Sequence, residues 1–328
     1  MRCAKQIAAL VLVVVAFAAF HLAVYRLLTC RLVSNFGSTA QAQMVDVGRY
    51  LPHEEGSDLP QISASLRLTG ALPVLDGAAA LVPVYAAVIE NLYPEGCVRY
   101  EGGSFSDDNY YGENFADDSA MQYNNTVRGY QAIVDGRTDL FFCAAPSQEQ
   151  QVYAQERGVE LVFVPIGLEA FVFFVNENNP VRQLTTEQLR GIYAGEITNW
   201  KEVGGPDRII NPVTRMEGSG SQTAFEAFMG EKKVGRKSPL AILGGSIGFS
   251  FRFYVEGMTG EQGVRLLAVD GADPSAENIQ NGSYPFVVPF YAVYRADNDN
   301  PNLPQLVDWL LSEEGQALIL QTGYLPAQ

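Results

Sequence analysis

The sequence predicts an α/β protein, and three observations carry that expectation. Short apolar runs of buried-strand type recur at Leu140–Ala144, Leu161–Val164 and Ala170–Val175. Between such runs lie segments with apolar residues at helical spacing, Val82, Tyr85, Ala86 and Ile89 in one and Val127, Tyr130 and Val134 in another. Strands alternating with helices imply a parallel-rich sheet covered by helices. The chain has 328 residues, 47% of them hydrophobic and 11% aromatic, enough for roughly two domains that each bury a core.

At the N-terminus, Arg2 and Lys5 precede Ile7–Val24, an apolar run interrupted only by His21. As a helix this run is about 27 Å long, close to the roughly 30 Å hydrocarbon core of a bilayer. Basic residues ahead of it place the N-terminus inside and the body outside. Residues 1–30 are therefore expected to form a signal anchor, with two competing readings. Leu27-Leu28-Thr29-Cys30 resembles the lipobox of a lipoprotein signal, and cleavage after Ala40-Gln41-Ala42 would release the body. All three export it, so the expected location is extracytoplasmic, at the membrane or secreted. Residues 31–61 are polar and aperiodic and read as a linker.

The body is expected to begin at Ile62, with a strand at Ser63–Leu68, the helix carrying Val82 to Ile89, and a strand at Cys97–Tyr100. Glu101–Ser119 holds six acidic residues and no base, and reads as a solvated insertion loop, since the spacing of a calcium loop is absent. A helix follows at Thr126–Asp135, then the three apolar strands. Leu306–Leu311 and Glu314–Leu320 are helical near the end. Cys97 and Cys143 are expected to remain unbridged, because the first strand should separate those that carry them.

Composition narrows the function classes. Lys and Arg number 22 against 37 Asp and Glu, for a net charge of −15. A surface that acidic excludes nucleic acid as a partner, because phosphate backbones need clustered cations. The two histidines lie in the N-terminal run and the linker, so His-based nucleophile systems and His-ligated metals are excluded. No CxxC pair exists. No metal, no cofactor and no catalysis are expected. A phosphate-loop reading of Gly230 to Ser238 fails on register and follows a helix, not a strand.

Three helix starts carry the chemistry that remains: Asp76-Gly77-Ala78-Ala79-Ala80, Asn124-Asn125-Thr126 and Gly218-Ser219-Gly220-Ser221. Each leaves backbone N–H groups free at the positive end of a helix, which suits an anion. The third is the strongest, because Arg215 lies just upstream, after the apolar strand Ile209–Val213. A guanidinium there can grip a tetrahedral oxyanion at two points. The candidate ligand-binding residues are Arg215, Ser219, Gly220, Ser221, Ala79, Ala80, Asn125 and Thr126.

From about Leu68 onward the chain resembles the phosphate-binding proteins of ABC importers. The similarity rests on Asn179-Pro180-Val181, Leu184-Thr185, Ile192-Tyr193-Ala194-Gly195, Ile197-Thr198-Asn199-Trp200 and Gly204-Gly205, leading into Arg215-Met216-Glu217-Gly218-Ser219-Gly220-Ser221. Ser246-Ile247-Gly248-Phe249, Val269 to Ser275 and Gly282 to Phe286 continue it. The resemblance implies a two-lobed type II periplasmic-binding fold, with lobe I at 62–168 plus 291–328, lobe II at 169–290 and the ligand between them. It implies capture of inorganic phosphate and delivery to ABC permease subunits by a monomer. Two positions depart from the family: Ala79 stands where a threonine is common, and Ala144 where many members place an aspartate that accepts the proton of hydrogen phosphate. Sulfate or another oxyanion therefore stays open as the ligand, as does a membrane-anchored adhesion or sensing role.

Overall fold

In the computed structural model the described residues are 14–22, 47–105, 111–258 and 263–327. Residues 14–22 form a helix, α1, within the expected anchor; the remainder of that run, the lipobox-like motif and the Ala40–Ala42 site lie outside the described residues. Among the described residues no helix is long and apolar enough to cross a membrane.

Met44–Gln328 forms one unit. Its elements run β1 (Leu75–Gly77), α2 (Val82–Leu92), β2 (Tyr100–Phe105), β3 (Tyr111–Phe115), α3 (Asn125–Val134), β4 (Leu140–Cys143), α4 (Gln148–Glu156) and β5 (Leu161–Asn176). There follow β6 (Gln183–Leu184), α5 (Thr186–Ala194), β7 (Ile210–Pro212), α6 (Gly220–Met229), β8 (Gly245–Phe251), β9 (Val264–Leu266) and β10 (Ala268–Val269). The chain closes with α7 (Ala276–Gln280), β11 (Val287–Arg295), α8 (Leu303–Leu311), α9 (Glu313–Gln321) and β12 (Leu325–Pro326).

One strand organises both halves. The two expected strands Leu161–Val164 and Ala170–Val175 are parts of the single strand β5. Its first stretch, through Ala170, pairs antiparallel with β11, and from Phe171 it pairs with β8 and then β9. The sheet order is β1-β4-β11-β5-β8-β7. It is mixed and not parallel-rich: β1–β4 and β7–β8 are parallel, while the pairs around β5 are antiparallel. The crossing at Glu169–Phe171 divides a first half, built on β1, β4 and β11, from a second built on β7, β8 and β9.

Each half has its own apolar interior. In the first, Val84, Tyr85, Val88 and Ile89 of α2 pack with Leu75, Leu140, Phe142, Leu306 and Leu310, all buried. In the second, an aromatic cluster forms around Phe173, Tyr193, Phe225, Phe228 and Phe249, with Phe225 stacked on Phe249 at 4.3 Å between ring centres. Such pairs add about 0.5–1.5 kcal/mol each beyond the area they bury.

Several expectations need correction. The folded unit begins well before Ile62: Val47, Tyr50 and Leu59 are buried in the first core, and Asn91 accepts from Ile62 N at 2.7 Å and donates to Pro60 O at 2.8 Å. His53 belongs to this packed segment, its backbone N–H donating to Glu90. Ser63–Leu68 is not a strand; its outward groups are satisfied singly, as when Leu68 N donates to Leu92 O at 2.8 Å. Cys97–Arg99 is also outside any strand. The acidic segment is no plain loop, since β2 and β3 form an antiparallel hairpin whose tip, 106–110, lies outside the described residues. Cys97 and Cys143 are free, as expected. β1 does lie between β4 and the segment after the hairpin, which bridges it at Met121.

Candidate functional site

The first helix start follows β1. Gly77 is needed for packing: a Cβ there would stand 2.6 Å from the Tyr85 ring. Ala78 N donates to Phe142 O at 2.8 Å, and the 3-10 turn Ala79–Leu81 opens with no side-chain cap. Ala79 N donates to Asn125 Oδ1 at 3.3 Å, which brings the first and second starts together.

Asn125 begins α3 in the left-handed region, at φ 58°, a conformation that Asn tolerates better than most residues. Its Oδ1 also accepts from Thr126 N at 2.7 Å. Behind this turn sits Asp76, fully buried, accepting from Gly77 N at 2.8 Å, Asn124 N at 2.9 Å and Asn124 Nδ2 at 2.8 Å. Burial raises its pKa to about 6, opposed by these hydrogen bonds. Asp76 thus ties the first loop to the second, and both of its oxygens are engaged by loop N–H groups.

The third start is in the other half. β7 leads into 213–219, and Ser219 caps α6 by accepting from Gln222 N at 3.3 Å. The Gln222 side chain accepts from Arg215 N at 3.0 Å, so the helix holds the arginine's backbone. Arg215 is half-buried, and among the described residues its guanidinium has neither an ion pair nor a hydrogen bond. Glu217, two residues on, is exposed and does not pair with it.

The two halves meet at this loop. Gly218, at φ 75°, lies against α3, where an added Cβ would stand 3.1 Å from Val127 Cγ2. A Cβ on Gly220 would stand 3.7 Å from Ala144 Cβ and 3.5 Å from Phe251. All three helix starts therefore converge on one seam, with Ala144 facing the Arg215–Ser221 loop. The seam also contains Gln150, which was not among the candidates. Ser147-x-x-Gln150 is a legible capping-box pattern, but nothing in the sequence shows that its amide reaches the opposite half. Tyr324, likewise unforeseen, donates its hydroxyl to Ala80 O from the C-terminal segment.

Behind the seam, Glu169 of β5 is buried beside Arg252, with 3.8 Å between charged atoms, and accepts from Ala170 N and Phe253 N. Burial raises its pKa to about 7 despite the arginine. Arg252 also donates to Gly323 O at 3.3 Å, joining the crossing strand to the C-terminal segment.

A family model described as a PBP superfamily domain matches residues 108–314. The chain belongs to the PBP superfamily. Among its relatives is the phosphate-binding protein PstS of Staphylococcus epidermidis, 27% identical over 211 residues, which are 58% of this chain and 65% of that protein. PstS of Bacillus subtilis is 25% identical over 230 residues, 65% of this chain and 73% of the relative. In structure the chain is similar to a protein of Clostridium perfringens named for phosphate ABC transport and crystallised with bound phosphate. That match has a TM-score of 0.56 and 25% identity and covers 78% of this chain and 99% of the other. An ABC-type phosphate transport receptor from Vibrio cholerae, 22% identical at a TM-score of 0.51, covers 77% and 99% and shares the fold. This PBP-superfamily chain thus has the α/β architecture that the resemblance implied.

Proposed function

We propose that this protein captures a tetrahedral oxyanion, inorganic phosphate foremost, in the seam between its halves and delivers it to an ABC permease without breaking a bond. The observation that carries the reading is Arg215, whose backbone N–H is held by Gln222 of the Ser-Gly-Ser helix and whose half-buried guanidinium has no protein partner among the described residues. The relatives named for phosphate support the choice of ligand.

Arg215 supplies the charge and the two-point contact, and Ser219, Gly220 and Ser221 supply N–H and hydroxyl donors at the start of α6. In the first half the backbone N–H groups of Ala79 and Ala80 serve as donors, Ala79 N–H exchanging Asn125 Oδ1 for the anion, and Asn125 and Thr126 line the same half from the start of α3. The halves, close to 62–168 with 291–328 and to 169–290, act as lobes that hinge at β5. The protein works as an exported monomer held at the membrane.

Sulfate is the second reading, and a specific observation favours it. Ala144, the place of the family's proton acceptor, faces Gly220 with a methyl group. An anion without a proton needs no acceptor there. Calorimetric titration of the full-length protein with phosphate and with sulfate tests both: uptake of either supports an oxyanion-binding role, and uptake of neither rejects it.

A further inference from the structure

Gln150 is a buried polar side chain, 8% exposed, at the third position of α4. Its Oε1 accepts from Ser147 N at 2.9 Å, and its own N–H donates to Ser147 Oγ at 3.2 Å, a reciprocal capping box. The cap fixes the side chain and leaves Nε2 with two hydrogens directed away from α4. One reaches Thr126 O at 3.5 Å, in the same half, and the other Gly218 O at 3.4 Å, in the opposite half. A single amide thus touches the second anion loop and the third.

We propose that Gln150 is a positioning residue that latches the two halves shut across the anion seam. The proposal rests on the reading of that seam as an oxyanion site, and extends it to what controls release. The choice of Gln over Glu is informative. A Glu would satisfy the capping box equally and suit the helix dipole better, yet it would set a carboxylate against two carbonyl oxygens and offer no donor. Gly218 completes the latch: its carbonyl accepts from Gln150, its φ of 75° is one that glycine adopts without strain, and its missing side chain lets the loop lie against Val127. The bond to Gly218 exists only while the halves are together, so it slows dissociation and leaves association nearly untouched.

The test uses full-length wild type, Gln150→Met, Gln150→Glu and Gly218→Ala. Stopped-flow measurement with phosphate should show dissociation about 3- to 10-fold faster in Gln150→Met, the effect of one modest hydrogen bond, with association changed less than about twofold. Gln150→Glu should also release faster, because its carboxylate keeps the capping box but repels the Gly218 carbonyl. In the ligand-free proteins, amide exchange across 215–222 should quicken in Gln150→Met and Gly218→Ala, although that segment is in the half opposite to α4. Faster exchange confined to 147–156, with unchanged dissociation, would mean that Gln150 serves only as a helix cap and would overturn the latch. If wild type takes up neither phosphate nor sulfate, the ligand reading fails, and exchange at 215–222 alone decides the latch.

Discussion

Ala144 and Gly220 face each other across the seam, so close that a Cβ on the glycine would stand 3.7 Å from the alanine methyl. The first residue directly follows β4 of one half and the second opens α6 of the other. On the proposed reading of the seam as an oxyanion site, this methyl group stands where a proton acceptor would meet hydrogen phosphate.

Discrimination between anions follows from that contact. A site that hydrogen-bonds a ligand hydroxyl rejects an analogue lacking it by about 10⁴ or more. Without the acceptor, sulfate should compete with phosphate within about 100-fold. Ala144→Asp should keep phosphate and drive sulfate out, because a carboxylate repels an anion that brings no proton. Competition calorimetry on the two proteins checks this; a wild type indifferent to a 1,000-fold excess of sulfate, itself an order-of-magnitude threshold, would show that another group accepts the proton.

Stability should fall as pH rises from about 4.5 to 7. Asp76 and Glu169 are buried, and their carboxyls are raised to about 6 and about 7. The folded chain then holds protons that the unfolded chain has already released, so neutral pH disfavours the fold through both groups. Each raised carboxyl costs the fold roughly 3 kcal/mol at neutral pH as an upper bound. Denaturant unfolding at pH 5 and pH 7.5 should give the higher midpoint at pH 5, and Glu169→Gln should flatten the difference. The reverse slope would contradict the burial of both carboxyls.

Both thiols should resist alkylation in the native state. Burial raises the Cys97 thiol to about 11 and pushes Cys143 well above its ordinary range, so little thiolate forms near pH 7. Peptide mapping after brief iodoacetamide treatment should find both unmodified in native protein and both alkylated in denaturant. Loss of free thiols without reductant would instead reveal a bridge.

Much of this architecture was legible in the sequence. Leu140–Cys143 and Ala170–Val175 are buried apolar runs, Leu161–Val164 is a half-buried one, and α3, α8 and α9 keep helical spacing, so local pattern suffices for them. The Arg215–Ser221 loop was legible because a cation beside a small-residue helix start is a local feature too. Ser63–Leu68 and Cys97–Tyr100 misled for a physical reason: β-like composition makes a strand only where a neighbour offers a ladder, and Leu68 finds a single bond to Leu92. The true first strand, Leu75–Gly77, is only three residues long and leaves almost no periodicity to read. Gln150 and Tyr324 escaped notice because their partners, Gly218 and Ala80, are brought near only by the tertiary fold.

Arg215 is the centre of the functional reading, and one comparison tests it most directly: phosphate titration of wild type and Arg215→Ala, with melting of each measured alongside. Truncating one member of a desolvated, hydrogen-bonded ion pair costs about 2–5 kcal/mol, or about 30- to 5,000-fold in affinity. Arg215→Ala should lose binding by that factor while its stability shifts by only about 1 kcal/mol, since among the described residues the guanidinium has no protein partner to lose. Arg215→Lys should recover only part, since an ammonium lacks the planar two-point grip. Unchanged phosphate affinity in Arg215→Ala would contradict the assignment of this arginine as the anion's anchor.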